Sequence, residues 1–255
     1  MTIYKPDTSL KAKLKRRITP LRAKRVLKPC LDRPIVSFSF DDCPKSVIEN
    51  AIKHFERENW RSTIYIAMGL CGIENHLGLH MDADDVKALH DGGHEIADHT
   101  FHHIDATQHS IRTFMLDVDK NQSALNALGL PPSETFAYPY GQVTTALKSQ
   151  IASKFKGARG ILSRESHEDI DLNQIRSNRL YAGNDFSILM EQIKRIGDKP
   201  GWLPIFTHDV RENPSEFGCT PEQMLSVIDA VKSSGAQVLT MADAITHMEA
   251  AYEQS

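Results

Sequence analysis

Between Pro34 and the C-terminus, short apolar stretches rich in strand formers alternate at least seven times with stretches of helical period. Strands are expected at residues 34–40, 62–68, 95–97, 135–138, 158–162, 178–181, 203–207 and 237–239. Helices are expected at residues 45–58, 83–90, 111–128, 143–155 and 185–196. Another runs from the capping box Thr220-Pro221-Glu222-Gln223 to about Ser234, and Thr240 caps the last. Gly92-Gly93, Gly129, Gly197 and Gly235 stand where helices must stop. A chain that alternates in this way has to build a parallel sheet with right-handed crossovers. Seven or eight such units in about 220 residues suit an α/β barrel, a single (β/α)7-8 domain, better than an open sheet.

Residues 1–33 do not share this pattern. They are polar, broken by Pro6, Pro20 and Pro29, and read as a basic N-terminal extension to a domain over 34–255. The run 11–28 holds nine Lys or Arg and no acid. It is expected to be either a solvated arm or a contact for anionic lipid or phosphate. The whole chain carries only −3, so nothing global points to nucleic acid. Cys30, Cys43, Cys71 and Cys219 form no CxxC pair, which suggests reduced thiols and a cytoplasmic protein. There is no apolar run of the roughly 20 residues a span needs, and no secretory h-region. GxGxxG, P-loop and GxSxG patterns are absent, so no nucleotide cofactor and no serine nucleophile elbow is expected.

The polar residues of interest follow strands: Asp41 and Asp42 after the first, His99 after the third, Tyr140 after the fourth, His208 after the seventh. In a parallel barrel these positions gather at one face. Two adjacent carboxylates repel each other, and a turn, a cation or a functional proton can offset that cost. Three His pairs have i, i+4 spacing: His76/His80, His90/His94 and His99/His103. Glycines interrupt the first two. The third has no breaker, and one helical turn there would put both rings on one face, about 5–6 Å apart. With a carboxylate from another strand, His99 and His103 would give three protein ligands and an open position, the pattern of a catalytic zinc site. Asp98 and His102 offer a competing register.

Four short motifs together resemble the polysaccharide deacetylases with a NodB-homology domain, carbohydrate esterase family 4. They are Phe40-Asp41-Asp42, His99-Thr100-Phe101-His102-His103, Pro139-Tyr140-Gly141, and the apolar strand ending in Phe206-Thr207-His208. The resemblance spans about residues 34–245 and implies a distorted barrel. It implies metal ligation by Asp42, His99 and His103, with Zn²⁺ the default and Co²⁺, Ni²⁺ or Fe²⁺ the alternatives. It further implies Asp41 as general base, His208 as general acid and the Tyr140 backbone N–H as oxyanion donor. The substrate it implies is an N-acylated amino sugar, N-acetyl first, in a saccharide, glycolipid or sugar-nucleotide precursor.

Three positions depart from the family pattern. The Arg that many members carry before Pro-Tyr-Gly is replaced by Phe136-Ala137-Tyr138, with Arg159 and Arg176 the candidates to substitute for it. A fourth motif with Asp and Trp is not recognisable. Cys43-Pro44 stands where Gly is common. Two rival readings follow: an amidohydrolase acting on a non-sugar C–N bond, and an inactive saccharide-binding member.

Overall fold

The computed structural model describes residues 17–163, 169–198 and 200–253. Eight strands form one parallel sheet: β1 (Ile35–Asp41), β2 (Thr63–Ile66), β3 (Glu95–Asp98), β4 (Thr135–Ala137), β5 (Gly157–Arg159), β6 (Asn178–Arg179), β7 (Trp202–Thr207) and β8 (Gln237–Val238). Seven run in the order β6-β7-β1-β2-β3-β4-β5. β8 shares an edge of β1 with β2: Gln237 and Val238 pair with Ile35 and Val36, while Thr63 pairs with Ser39 further along. The sheet is curled, and the segment before one edge strand touches the other edge. Ile175, just before β6, bridges Arg159 of β5, and the Gly160 N–H donates to the Ile175 carbonyl at 2.8 Å. The expected distorted barrel is therefore present as a curled parallel sheet, its two ends linked by one isolated bridge.

Helices follow the strands: α1 (Lys53–Arg57), α2 (Ala83–Asp91), α3 (Ile111–Ala127), α4 (Thr145–Ala152), α5 (Asn184–Ile196), α6 (Pro221–Ser233) and α7 (Met241–Glu253). α1 differs from the expected single helix, because Ile48–Ile52 ahead of it winds as a π-turn. The capping box Thr220/Gln223 forms as read, and Asp82/Asp85 makes a second.

The seven residues of β1 explain the layering. Val36, Phe38 and Phe40 face the helices and join the larger apolar core. Ile35, Ser37, Ser39 and Asp41 point to the other side, by the period of two. There Ser37, Ser39, Ala97 and Ala137 are small, and the space they leave is filled by Tyr65, Arg159, Trp202 and Phe206, all at most 2% exposed. The Trp202 Nε1–H donates to Ser37 Oγ at 2.9 Å. At the amino end of the sheet Glu95 accepts from Thr63 and Thr135 hydroxyls and from the Ala242 N–H at the start of α7. At the carboxyl end Asp41 and Asp98 close β1 and β3.

Part of the N-terminal stretch packs on the body of the domain. Val26–Leu27 pairs antiparallel with Ile170–Asp171. Lys148 of α4, fully buried, donates from Nζ to the carbonyls of Arg22 (2.9 Å) and Thr19 (3.4 Å) and to Asp171 (2.6 Å). Residues 19–27 are thus strapped to the body by partners more than 100 residues away, which local composition does not reveal. Lys11, Lys13, Lys15 and Arg16 of the basic run lie outside the described residues.

Candidate metal centre and active site

At the carboxyl end of the sheet Asp42, His99 and His103 converge. Asp42 Oδ1 lies 3.3 Å from His103 Nε2 and 3.7 Å from His99 Nε2, and the three ligand atoms all fall within 4.8 Å of one another. Ligands held about 2 Å from a tetrahedral zinc sit roughly 3.3 Å apart, so the spacing fits one small cation. Asp42 Oδ1 is buried and has no hydrogen-bond partner among the described residues. An unpaired buried carboxylate oxygen facing two imidazoles is the gap such an ion would fill.

The protonation states agree. The His99 Nδ1–H donates to the Ala137 carbonyl at 2.7 Å, which leaves Nε2 as the lone-pair atom aimed at the gap. Burial first, then His103, pushes His99 down to about 4, so it is neutral at neutral pH, as a ligand must be. Burial alone would raise Asp42, but His103, His99, His208 and His80 outweigh it and hold the carboxyl at about 2.

The His99–His103 pair meets for a reason other than the expected helical turn. The segment is an irregular loop in which Thr100 (φ 59°) and His103 (φ 52°) are left-handed, and the ring centroids come within 4.8 Å. Seven non-glycine residues among those described have positive φ. Five of them are Asp42, Cys43, Thr100, His103 and Tyr140, all at this site. Such residues cost about 1–3 kcal/mol each and persist only where surroundings enforce them. Here α3 does the enforcing. Asp117 accepts from the His102 N–H (2.9 Å) and pairs with His102 Nδ1 (2.5 Å). Gln122 donates to Asp98 at 2.5 Å, and Asp98 accepts from the Thr100 N–H at 2.8 Å. Asp98, pushed up to about 7 chiefly by burial, and His102 therefore anchor the loop, and the competing register is committed to α3.

Asp41 sits beside Asp42 with a different partner. Arg159 Nη2 contacts both its carboxylate oxygens, in a pair whose side chains are 1% and 6% exposed. The guanidinium lies between the rings of Tyr65 and Phe206, 4.9 and 4.6 Å from their centroids. Of the two candidates to replace the missing Arg, the structure puts Arg159 on Asp41, from the end of β5 rather than from β4.

Tyr140 is left-handed (φ 58°, ψ 9°), and its ring stacks edge-on to His103 at 4.3 Å. Its phenol is pushed up to about 12, mainly by burial, so it stays protonated. His208, half-buried, has its Nδ1 3.2 Å from the Phe217 carbonyl, which directs Nε2 away from that loop. Asp209, fully buried, organises the loop by accepting from Arg211 Nε and the Ser215 N–H, each at 2.8 Å. Sequence reasoning missed Asp117, Gln122 and Asp209. One signal was available: in α3 Asn121 interrupts the apolar stripe Phe114, Val118, Leu125, and it is fully buried, bonded to Met68 N–H and the Ile66 carbonyl. His94 stands at the other end of the sheet and His76 on an exposed hairpin, so neither joins the centre.

A sequence profile described as polysaccharide deacetylase matches residues 28–156. No curated protein matches. Several solved structures are similar in fold. The Xyl-CE4 domain of a multidomain xylanase from the hindgut metagenome of Trinervitermes trinervoides has 18% identity and a TM-score of 0.59, over 83% of this chain and 89% of that one. An acetyl xylan esterase from Clostridium thermocellum, in complex with a cobalt ion, has 16% identity and a TM-score of 0.59, over 83% and 90%. A chitin deacetylase from Colletotrichum lindemuthianum has 16% identity and a TM-score of 0.57, over 85% and 89%. At such identities these likenesses speak for the fold, and the profile, which spans just over half of the 255 residues, speaks for the family. The chain belongs to the polysaccharide deacetylase family and is a hydrolase of the carbohydrate deacetylase class.

Proposed function

We propose that this protein removes an N-acyl group, acetyl in the first instance, from an amino sugar, using one divalent cation held by Asp42, His99 and His103. The convergence of Asp42 Oδ1 with the two Nε2 atoms is the observation that carries the reading. Zn²⁺ is the default for a His₂Asp set, with Co²⁺, Ni²⁺ or Fe²⁺ as alternatives. When bound, the ion would lower the pKa of a water towards ~7 and polarise the acyl carbonyl.

The chain's own residues do the rest. Asp41, clamped by Arg159, takes a proton from the attacking water as its oxygen bonds to the acyl carbon. The Tyr140 N–H donates to the oxyanion of the tetrahedral intermediate. His208, oriented through Nδ1 by the Phe217 carbonyl, gives a proton from Nε2 to the amine as the C–N bond breaks. The products are a carboxylic acid and a free amino sugar. Arg159 on Asp41 also weighs against the inactive-binder reading, whose support was the missing Arg.

The four cysteines are free thiols, two of them buried, which favours a reducing compartment and so a cytoplasmic precursor as substrate. No helix of the described residues is long and apolar enough to cross a membrane. Arg17, Arg22, Lys24 and Lys28 are exposed on the strapped N-terminal stretch and suit a phosphate or anionic headgroup carried by such a precursor.

The test is a pair of variants assayed on N-acetylglucosamine oligomers and on cyclic ureides. Asp42→Ala is expected to lose stoichiometric metal and turnover together. Asp41→Asn is expected to keep its metal while turnover falls at least about 100-fold. Metal uptake undiminished in Asp42→Ala overturns the ligand set, and turnover confined to ureides overturns the sugar.

A further inference from the structure

Asp42 Oδ1 is not the only buried atom near the centre without a partner. His80, 1% exposed, has no hydrogen-bond partner at Nε2 among the described residues. It follows a two-stranded hairpin, Glu74–Asn75 with Gly78–Leu79. Its backbone N–H and its Nδ1 both meet the Ile73 carbonyl, at 2.9 and 3.0 Å. A carbonyl can only accept, so Nδ1 carries the proton and Nε2 carries a lone pair. A buried acceptor left unpaired costs about 1–3 kcal/mol, and a native fold that keeps one invites an explanation.

Position suggests what the partner is. His80 bridges Pro44; the Met81 N–H donates to the Cys43 carbonyl at 2.9 Å and the Lys45 N–H to the Leu79 carbonyl at 2.7 Å. The backbone at His80 is thereby fixed against the turn that carries Asp42. Burial, the largest influence on the ring, lowers its basicity, although the Asp42 carboxylate and the Ile73 and Gly78 carbonyls work the other way, and the net direction favours the neutral form. The hairpin is also fastened to the loop that holds His208. Arg211 donates from Nη2 to the His76 carbonyl and from Nε to Asp209, each at 2.8 Å, and the His76 and Phe217 rings lie 6.3 Å apart. The hairpin that leads into His80 and the loop that orients His208 are thus tied to one another.

We propose that His80 is a further functional residue, whose Nε2 accepts a hydrogen bond from an O–H donor brought in with the ion or with the sugar. The inference rests on the function proposed above. The two sources share one chemistry: a water accompanying the ion, or a hydroxyl beside the amine that His208 protonates. An acceptor at this point would favour sugars that present a hydroxyl there over isosteres that lack it.

The experiment compares His80→Leu and His80→Gln with the parent in the full chain. It measures Zn²⁺ affinity by chelator competition, the visible spectrum of the Co²⁺ form, and calorimetric binding of a glucosamine trisaccharide. His80→Leu is expected to weaken ion or trisaccharide binding at least about tenfold, and His80→Gln, which offers a carbonyl acceptor, to restore part of the loss. A changed Co²⁺ spectrum without sugar identifies the water. Unchanged ion binding with weakened trisaccharide binding identifies the hydroxyl. Should His80→Leu not fold, His80→Asn reads the same contrast, because its shorter amide cannot reach as far. Parent-like ion affinity, spectrum and trisaccharide binding in the loss variant overturn the assignment. A parent that takes up no Co²⁺ overturns the metal reading itself, and this assignment with it.

Discussion

Two buried ion pairs, Lys148–Asp171 and Arg159–Asp41, use the same attraction to different ends. Lys148 is fully buried, and its ammonium meets three acceptors: Thr19 and Arg22 carbonyls and Asp171. Asp171 in turn accepts from the Arg25 and Asn173 N–H groups at 3.1 Å. Here the ammonium and both carboxylate oxygens of the pair itself are satisfied. Arg159 reaches Asp41 and the Gly160 carbonyl, but its Nε has no partner among the described residues, and neither does Oδ1 of neighbouring Asp42. Left-handed residues crowd the second pair, whereas the first has only Ala23 nearby. The first pair holds chain together, whereas the second sits among enforced left-handed residues beside the proposed metal ligand Asp42.

The sharpest way to break the contrast is Arg159→Leu. Removing one partner of a buried pair strands the other, at a cost of about 3–5 kcal/mol. Asp41 would also lose its orientation, so turnover per folded molecule is expected to fall at least about 100-fold. Arg159→Leu combined with Asp41→Asn is expected to regain much of the stability and none of the turnover, read by urea melts and initial rates. If the single variant keeps parental turnover, Arg159 does not position the base.

Lys148→Met is the mirror case. Its cost is expected at the lower end of the same range, about 3 kcal/mol, because Asp171 keeps two backbone N–H donors and some exposure. Metal affinity and turnover of the folded fraction are expected to stay parental. Deleting residues 1–27 would remove the strap with its β-pairing and is expected to destabilise comparably, seen as a lowered urea midpoint. A truncated chain as stable as the parent would show that the strap adds nothing to stability and would support a domain boundary at residue 33.

Much of this was legible because it was local. The strand IVSFSFD announces its two faces by alternation, and the carboxylates at its end announce a site. Helix stops and capping boxes are likewise written in neighbouring residues. What stayed hidden was long-range. The partner of Asp41 is 118 residues away and comes from another strand than the family pattern suggests. The His99–His103 approach depends on left-handed residues that α3 enforces, and spacing alone suggested a helical turn. The strap failed to show for the same reason, since a basic, proline-broken sequence resembles a free arm until Lys148 is seen to hold it.

The gentlest test concerns two histidines with similar electrostatics at opposite ends of the sheet. His94, 2% exposed, is pushed down to about 4, like His99, and in both cases burial is the largest cause. His94 accepts at Nδ1 from the Ser62 N–H at 3.1 Å, so its neutral form is built into the fold. Since its folded value lies below the unfolded value of 6.5, the unfolded chain takes the proton first as pH falls. The stability this group contributes is present in full above pH 6.5 and is lost between 6.5 and 4. A shift of that size corresponds to about 3 kcal/mol. His94→Gln is expected to cost stability at pH 7.5 and to flatten its dependence on pH over that window, as read by urea melts at half-unit steps. Added Zn²⁺ is expected to steepen the parent's loss, because a bound ion would be released as its imidazole ligands take up protons. It is expected to leave the His94 contribution, the difference between parent and variant, unchanged. If Zn²⁺ alters that difference, the two ends of the sheet are coupled, and a division between a structural end and a functional one does not hold.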